Sequence, residues 1–126
     1  AATFSITTDA SRVAPGSGGA STRYGNVGAE IAVDVGQFPQ RMGGISQSAT
    51  GALAHELGHA LGTLLPGIRD AFDAQLGKTL TANEGYGTAF ENQWRREQGL
   101  DQRLFYKYRY GDVGHTSDDV FDWPTP

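Results

Sequence analysis

The spacing of apolar positions changes along the chain, and each change marks an element. Thr3 to Thr8 alternates Phe4 and Ile6 with polar neighbours, the period-two pattern of a short strand, and Asp9 opens a turn-rich stretch. Ala29, Ile31, Val33 and Val35 alternate with Glu30, Ala32 and Asp34, which predicts a half-buried strand ending at Gly36. Between them, Pro15 to Gly28 carries Gly16, Gly18, Gly19, Gly25 and Gly28 among serines and is expected to be a loop. It lacks the Gly-Lys-Ser/Thr ending of a phosphate-binding loop. Beyond Pro39, Gly43 and Gly44 the period lengthens. Leu53, Leu57, Ala60 and Leu64 recur at i, i+4, i+7 and i+11, an amphipathic helix with Ser46 or Ser48 as N-cap and a stop between Gly62 and Gly67, enforced by Pro66.

Ile68 to Leu76 reads as a short helix and Gly77 to Thr81 as a turn. Asn83 to Gln98 is a second strong helix, with Asn83 as cap, Glu84 in the first turn where the helix dipole favours an acid, and Gly99 to end it. Gly85 and Gly87 weaken that first turn. Leu104 to Tyr110 places Leu104, Tyr106, Tyr108 and Tyr110 on one strand face and Phe105, Lys107 and Arg109 on the other; the acidic tail after Gly111 is expected to be surface coil. The expected class is therefore α+β: a small sheet with an edge strand, and two principal helices. Ala29 to Val35 is expected to be that edge strand, beside the main helix, able to hold an extended peptide by β-augmentation.

A length of 126 residues suits one domain spanning 1–126. The N-terminal Ala1-Ala2-Thr3 carries neither an initiator Met nor a signal peptide, so the chain reads as excised from something longer. No cysteine is present, which excludes disulfides and thiolate ligands and leaves the compartment open. No apolar run approaches the about 18 to 20 residues of a membrane span, so no membrane insertion is expected. Arg95, Arg96, Arg103, Lys107 and Arg109 interleave with aromatic residues, a pattern that can bind single-stranded nucleic acid. The net charge of -4 and the two-faced strand argue against nucleic acid as a partner.

The chemistry centres on His55-Glu56-Leu57-Gly58-His59. Residues four apart share a helix face, so both imidazoles can take adjacent corners of one Zn²⁺ tetrahedron while Glu56 flanks them as a general base. The Leu53, Leu57, Ala60 and Leu64 stripe points about 200° away from the histidines, so one face packs and the other binds. Gly58 in mid-helix costs about 1 kcal/mol relative to Ala, which a close neighbouring backbone or a metal would explain. A catalytic zinc needs a third protein ligand and an open position. A third His or Asp six residues beyond His59 is ruled out, because Leu65 stands there, and no thiolate exists. A carboxylate from the second helix remains: Glu84 or Glu91, seven apart and on one face. Glu84 is favoured, because the 25 residues after His59 allow the chain to return and because Asn83-Glu84 resembles the start of the gluzincin ligand helix. Glu91 stays in contention, although its simplest role is an i,i+4 ion pair with Arg95.

His55 to His59 followed by Glu84, then Glu91-Asn92-Gln93-Trp94-Arg95-Arg96-Glu97, Gly99-Leu100, Arg103 and Tyr106, resembles the NleD-like bacterial effector zinc metallopeptidases. These include domains at the C-termini of type VI secretion spike (VgrG) proteins. The resemblance covers about Ala29 to Tyr110. The zinc motif is shared by many families, and the Glu-Asn-x-x-Arg-x-x-x-Gly-Leu run is the more specific part. The glycine-rich N-terminal third and the brief loop after the zinc helix depart from the family. The resemblance implies a compact zincin: a small sheet, an active-site helix and a second helix supplying a glutamate to a gluzincin-type site. It also implies a secreted or translocated toxin, a protein or peptide substrate in the target periplasm or host cytoplasm, and a cognate immunity protein as partner.

The expected chemistry is peptide hydrolysis, with zinc held by His55, His59 and Glu84 and Glu56 taking a proton from the activated water. Tyr106, Tyr108, Tyr110 and His115 are candidate donors to the oxyanion. The competing reading is a zinc-stabilised binding module without catalysis, against which Glu56 argues, since a structural metal needs no base.

Overall fold

The computed structural model describes residues 3–26, 28–76, 84–104 and 122–124. They form strands β1 (Thr3–Thr7), β2 (Ala20–Tyr24), β3 (Gly28–Val33), β4 (Gln40–Met42) and β5 (Ile45–Gln47), then helices α1 (Ala49–Leu64), α2 (Pro66–Leu76) and α3 (Glu84–Glu97). This is a small α+β domain with two small sheets. The expected turn at 77–81, and the strand expected over 104–110 beyond Leu104, lie outside the described residues.

The first sheet has the order β1-β3-β2, with β1 parallel and β2 antiparallel to β3. The strand with the clearest alternation is therefore central, not the edge expected for Ala29 to Val35. It is also shorter than expected: after Val33 the Asp34 carboxylate accepts from the Gly36 amide and turns the chain into a 3-10 turn, leaving Val35 half exposed. The edge beside α1 is β2, which lies inside the stretch expected to be loop. Glycines Gly16, Gly18 and Gly19 do make turns at positive φ, but Ala20-Ser-Thr-Arg-Tyr24 then pairs with β3 from Ala20 opposite Val33 to Tyr24 opposite Ala29. Its polar side chains hid it, because this strand meets the helix through hydroxyl groups rather than through an apolar stripe.

β4 and β5 form a hairpin around Gly43 and Gly44, both at positive φ as a two-residue turn of this hand requires. Ser48 caps α1, its Oγ accepting from the Gly51 amide at 3.0 Å. The Leu53, Leu57 and Leu64 stripe packs with Ala60 against Ile31 and Val33 of β3, as its spacing predicts. The opposite side of α1 carries Gly51, His55, Gly58 and Gly62, and α3 packs there. A Cβ at Gly58 would sit 2.5 Å from the Tyr86 carbonyl, and one at Gly62 would sit 2.2 Å from the Tyr86 ring. Close backbone approach therefore accounts for the mid-helix glycine. α3 ends in a Schellman motif, Leu100 N–H to Arg95 O and Gly99 N–H to Arg96 O, with Gly99 at φ 69°.

A second apolar cluster joins Phe72, Tyr86 and Ala89. Trp123 closes it, stacking edge-on against Phe72 and Phe90 at 5.4 and 4.9 Å between ring centres. Residues 122–124 are coil, as expected, with Asp122 exposed, but the Trp123 ring is half-buried against this cluster rather than on open surface.

Candidate metal centre

α1 presents His55, Glu56 and His59 with all three potential ligand atoms within 4.8 Å of one another. The imidazole ring centres are 4.8 Å apart and the rings are inclined at 72°. Both histidines are buried, at 4% and 9% exposure, whereas Glu56 is half-buried and faces a cleft. That cleft, of about 320 Å³, runs between the Gly16–Gly18 turn and the β4–β5 hairpin, with Phe38 and Met42 on its walls and Arg103 at its side.

Glu91 holds the Nδ1 side of His55. Its Oε1 accepts from His55 Nδ1 at 3.1 Å and from Arg103 at 2.8 Å; its Oε2 accepts from Gln47 at 2.9 Å and from Arg95 at 2.8 Å. Arg95 also donates to the Gln47 carbonyl oxygen, closing a ring of buried polar groups. Burial alone would raise the Glu91 pKa, but the His55 hydrogen bond, the Arg103 charge and the Arg95 hydrogen bond outweigh it and hold the carboxyl down at about 2, from an ordinary 4.5. An ionised carboxylate only accepts, so Nδ1 carries hydrogen, and in the neutral imidazole the lone pair lies on Nε2.

That assignment tests whether a metal fits. A metal-binding imidazole typically donates its second nitrogen to a carboxylate, as His55 does. On the other side, a Cβ at Gly87 would lie 2.7 Å from His55 Nε2, so any other residue at position 87 would cover the nitrogen. Gly87, expected to be merely a weak point of the helix, is thus what lets α3 pack this close to the His55 ring. The residues present fit a metal held by imidazole nitrogen.

Glu91 is a poor third ligand, because four donors already occupy its two oxygens. The ion pair with Arg95 that its spacing predicts is present. Glu84 opens α3, three residues before Gly87 and on the same helical face; its side chain lies outside the described residues, as do Tyr106, Tyr108, Tyr110 and His115. No family model, curated protein or solved structure matches the chain.

Residues to which sequence reasoning gave no role at the site stand around this core. Gln47 is fully buried behind Glu91, and Arg103 is held in place by Asn92, which donates to the Arg103 carbonyl at 3.0 Å and accepts its amide at 2.7 Å. The spacing of Glu91, Asn92 and Arg95 marked a patterned run, but nothing local linked it to position 47. Thr22 of β2 donates to Glu56 Oε1 at 2.8 Å, a contact across 34 residues of chain that only the fold creates.

Proposed function

We propose that this chain is a zinc-dependent endopeptidase of gluzincin type, acting as a secreted bacterial effector or toxin domain. One observation carries the reading: the carboxylate of Glu56 lines an open cleft beside two histidines, one of which has its Nδ1 held by Glu91, with the backbone of Gly87 packed close to its Nε2. His55 and His59 would hold the metal, and Glu84 is the proposed third ligand, supported by its place one turn before Gly87. When bound, zinc supplies Lewis acidity to the scissile carbonyl and lowers the pKa of water.

The chain's own residues supply the rest. Glu56 receives the proton from the attacking water and is placed to return it to the leaving amine. Glu91 keeps His55 in one tautomer and one ring orientation. The cleft walls between the Gly16–Gly18 turn and the hairpin hold an extended peptide and limit water around it. Tyr106, Tyr108 and His115 are proposed as oxyanion donors. Delivery into the periplasm or cytoplasm of a target cell, and neutralisation by an immunity protein, belong to the same proposal, motivated by the effector-like α3.

Glu56→Gln tests the reading. The variant should keep zinc and lose about 10² to 10⁴ in hydrolysis rate, since only the base is removed. Expressed in the cytoplasm and periplasm of a susceptible bacterium and in eukaryotic cells, wild type should harm at least one host and Glu56→Gln none. The deep burial of His55 and His59 also suits a structural metal in a binding module; undiminished toxicity of a folded, zinc-loaded Glu56→Gln protein would select that second reading.

A further inference from the structure

The edge strand β2 is tied to α1 by two hydroxyls on alternate residues. Thr22 Oγ1 donates to Glu56 Oε1 at 2.8 Å, and Tyr24 Oη donates to Thr63 Oγ1 at 3.3 Å. Alternate strand residues share a face, and positions 56 and 63 share a helix face, so both contacts tie the strand to the helix; Thr22 Oγ1 also lies 3.5 Å from the Glu56 carbonyl oxygen. They differ in chemistry. The Tyr24 tie ends on a neutral hydroxyl, whereas the Thr22 tie ends on the carboxylate that faces the cleft.

Glu56 is half-buried and takes a hydrogen bond from no other described side chain, so its Oε2 is left without a donor among the described residues. A glutamate has three side-chain torsions, and an unrestrained one spreads over several rotamers. One short charge-assisted hydrogen bond, from a β-branched residue whose own χ1 is stiff, removes most of that freedom. We infer that Thr22 is a positioning residue for the general base, anchoring Glu56 by Oε1 and keeping Oε2 for the proton. The inference rests on the peptidase reading. Because Thr22 belongs to the strand at the sheet's edge, the base is registered to the same strand that borders the cleft.

The test compares zinc-loaded wild type, Thr22→Val, Thr22→Ser and Tyr24→Phe, first on fluorescein-labelled casein and then on a quenched-fluorescent peptide built around a casein cleavage point. Zinc affinity and thermal unfolding are measured for each. Thr22→Val should lower kcat about tenfold with KM within about twofold, since misplacing a reacting group acts on the chemical step. Thr22→Ser, which keeps the hydroxyl, should recover most of kcat, and Tyr24→Phe, which removes the tie to Thr63 and leaves the Glu56 contact intact, should match wild type. Zinc affinity should be the same in all four. If Thr22→Val does not fold, Thr22→Ala carries the same expectation. Wild-type kcat in a folded Thr22→Val or Thr22→Ala protein overturns the inference alone, as does an equal fall in Tyr24→Phe. A zinc-loaded wild type that cleaves no bond in casein overturns the peptidase reading and this inference with it.

Discussion

Glu91→Ala should unfold the domain's polar interior without touching its apolar core. In the native chain the Glu91 carboxylate is fully buried and faces Arg95 and Arg103, whose side chains are each 4% exposed. Removing it leaves two buried guanidinium groups with one carboxylate fewer, and breaking a buried pair in this way costs about 3–5 kcal/mol. That is a large share of the about 5–15 kcal/mol that holds a domain of this size together. The acid dependence gives an independent magnitude. A carboxyl held at about 2 rather than 4.5 contributes stability that is fully present above pH 4.5 and lost as pH falls through 2. By linkage that is roughly 3 kcal/mol. Urea unfolding of the metal-free protein, repeated from pH 7 down to pH 2, reads both. Wild type should weaken through the acid window, and Glu91→Gln should start lower and show a flatter acid limb. Zinc titration completes the assay: Glu91→Gln should bind zinc about 10- to 100-fold more weakly, as loss of a carboxylate behind a ligand does, while Glu84→Ala should lose far more. A Glu91→Ala protein within 1 kcal/mol of wild type would refute the energetic argument. Zinc binding that survives Glu84→Ala and vanishes in Glu91→Gln would move the third ligand to Glu91.

Gly87→Ala sets a methyl 2.7 Å from His55 Nε2 and Gly62→Ala sets one 2.2 Å from the Tyr86 ring, so both should destabilise by about 1–3 kcal/mol in chemical unfolding. Only Gly87→Ala should also abolish tight zinc binding, measured by calorimetry. Thr88 Oγ1 is buried with no hydrogen-bond partner among the described residues, so Thr88→Val should be neutral or stabilise by about 1 kcal/mol; a loss above that would reveal a role for the hydroxyl. Trp123→Ala should lower Tm and cost about 1–3 kcal/mol by opening the cluster over Phe72 and Phe90, leaving zinc affinity unchanged.

The two principal helices were legible because their signals are local. Four-residue spacing put His55 and His59 on one face, Ser48 capped α1, and Gly99 ended α3, all within a few residues of the feature they control. The sheet was less legible. β2 carries hydroxyls where an amphipathic strand carries apolar groups, and β4 and β5 are three residues each, too short to show a period. Which strand lay at the centre could not be read from alternation, since β3 alternates as clearly in the middle of a sheet as it would at the edge. At the site, the motif was readable and its support was not: Gln47, Glu91 and Arg103 are drawn together from three separate segments, and no periodicity connects them.

Arg103 has two neighbourhoods at once. It forms part of the cleft wall, and it donates to the carboxylate that orients His55. The chain at this point is fastened on both sides, by Asn92 through the Arg103 backbone and by the Leu104 amide bonded to the Gly43 carbonyl at the tip of the hairpin. If the proposed metal is carried on His55, it and a molecule lodged in the cleft against Arg103 would act on the same guanidinium. Thermodynamic reciprocity then makes their influence mutual: whatever factor an occupant of the cleft applies to the metal's affinity, the metal applies to the occupant's. A chelator would then alter the cleft's affinity for its occupant, through Arg103 as well as through the His55 that lines the cleft.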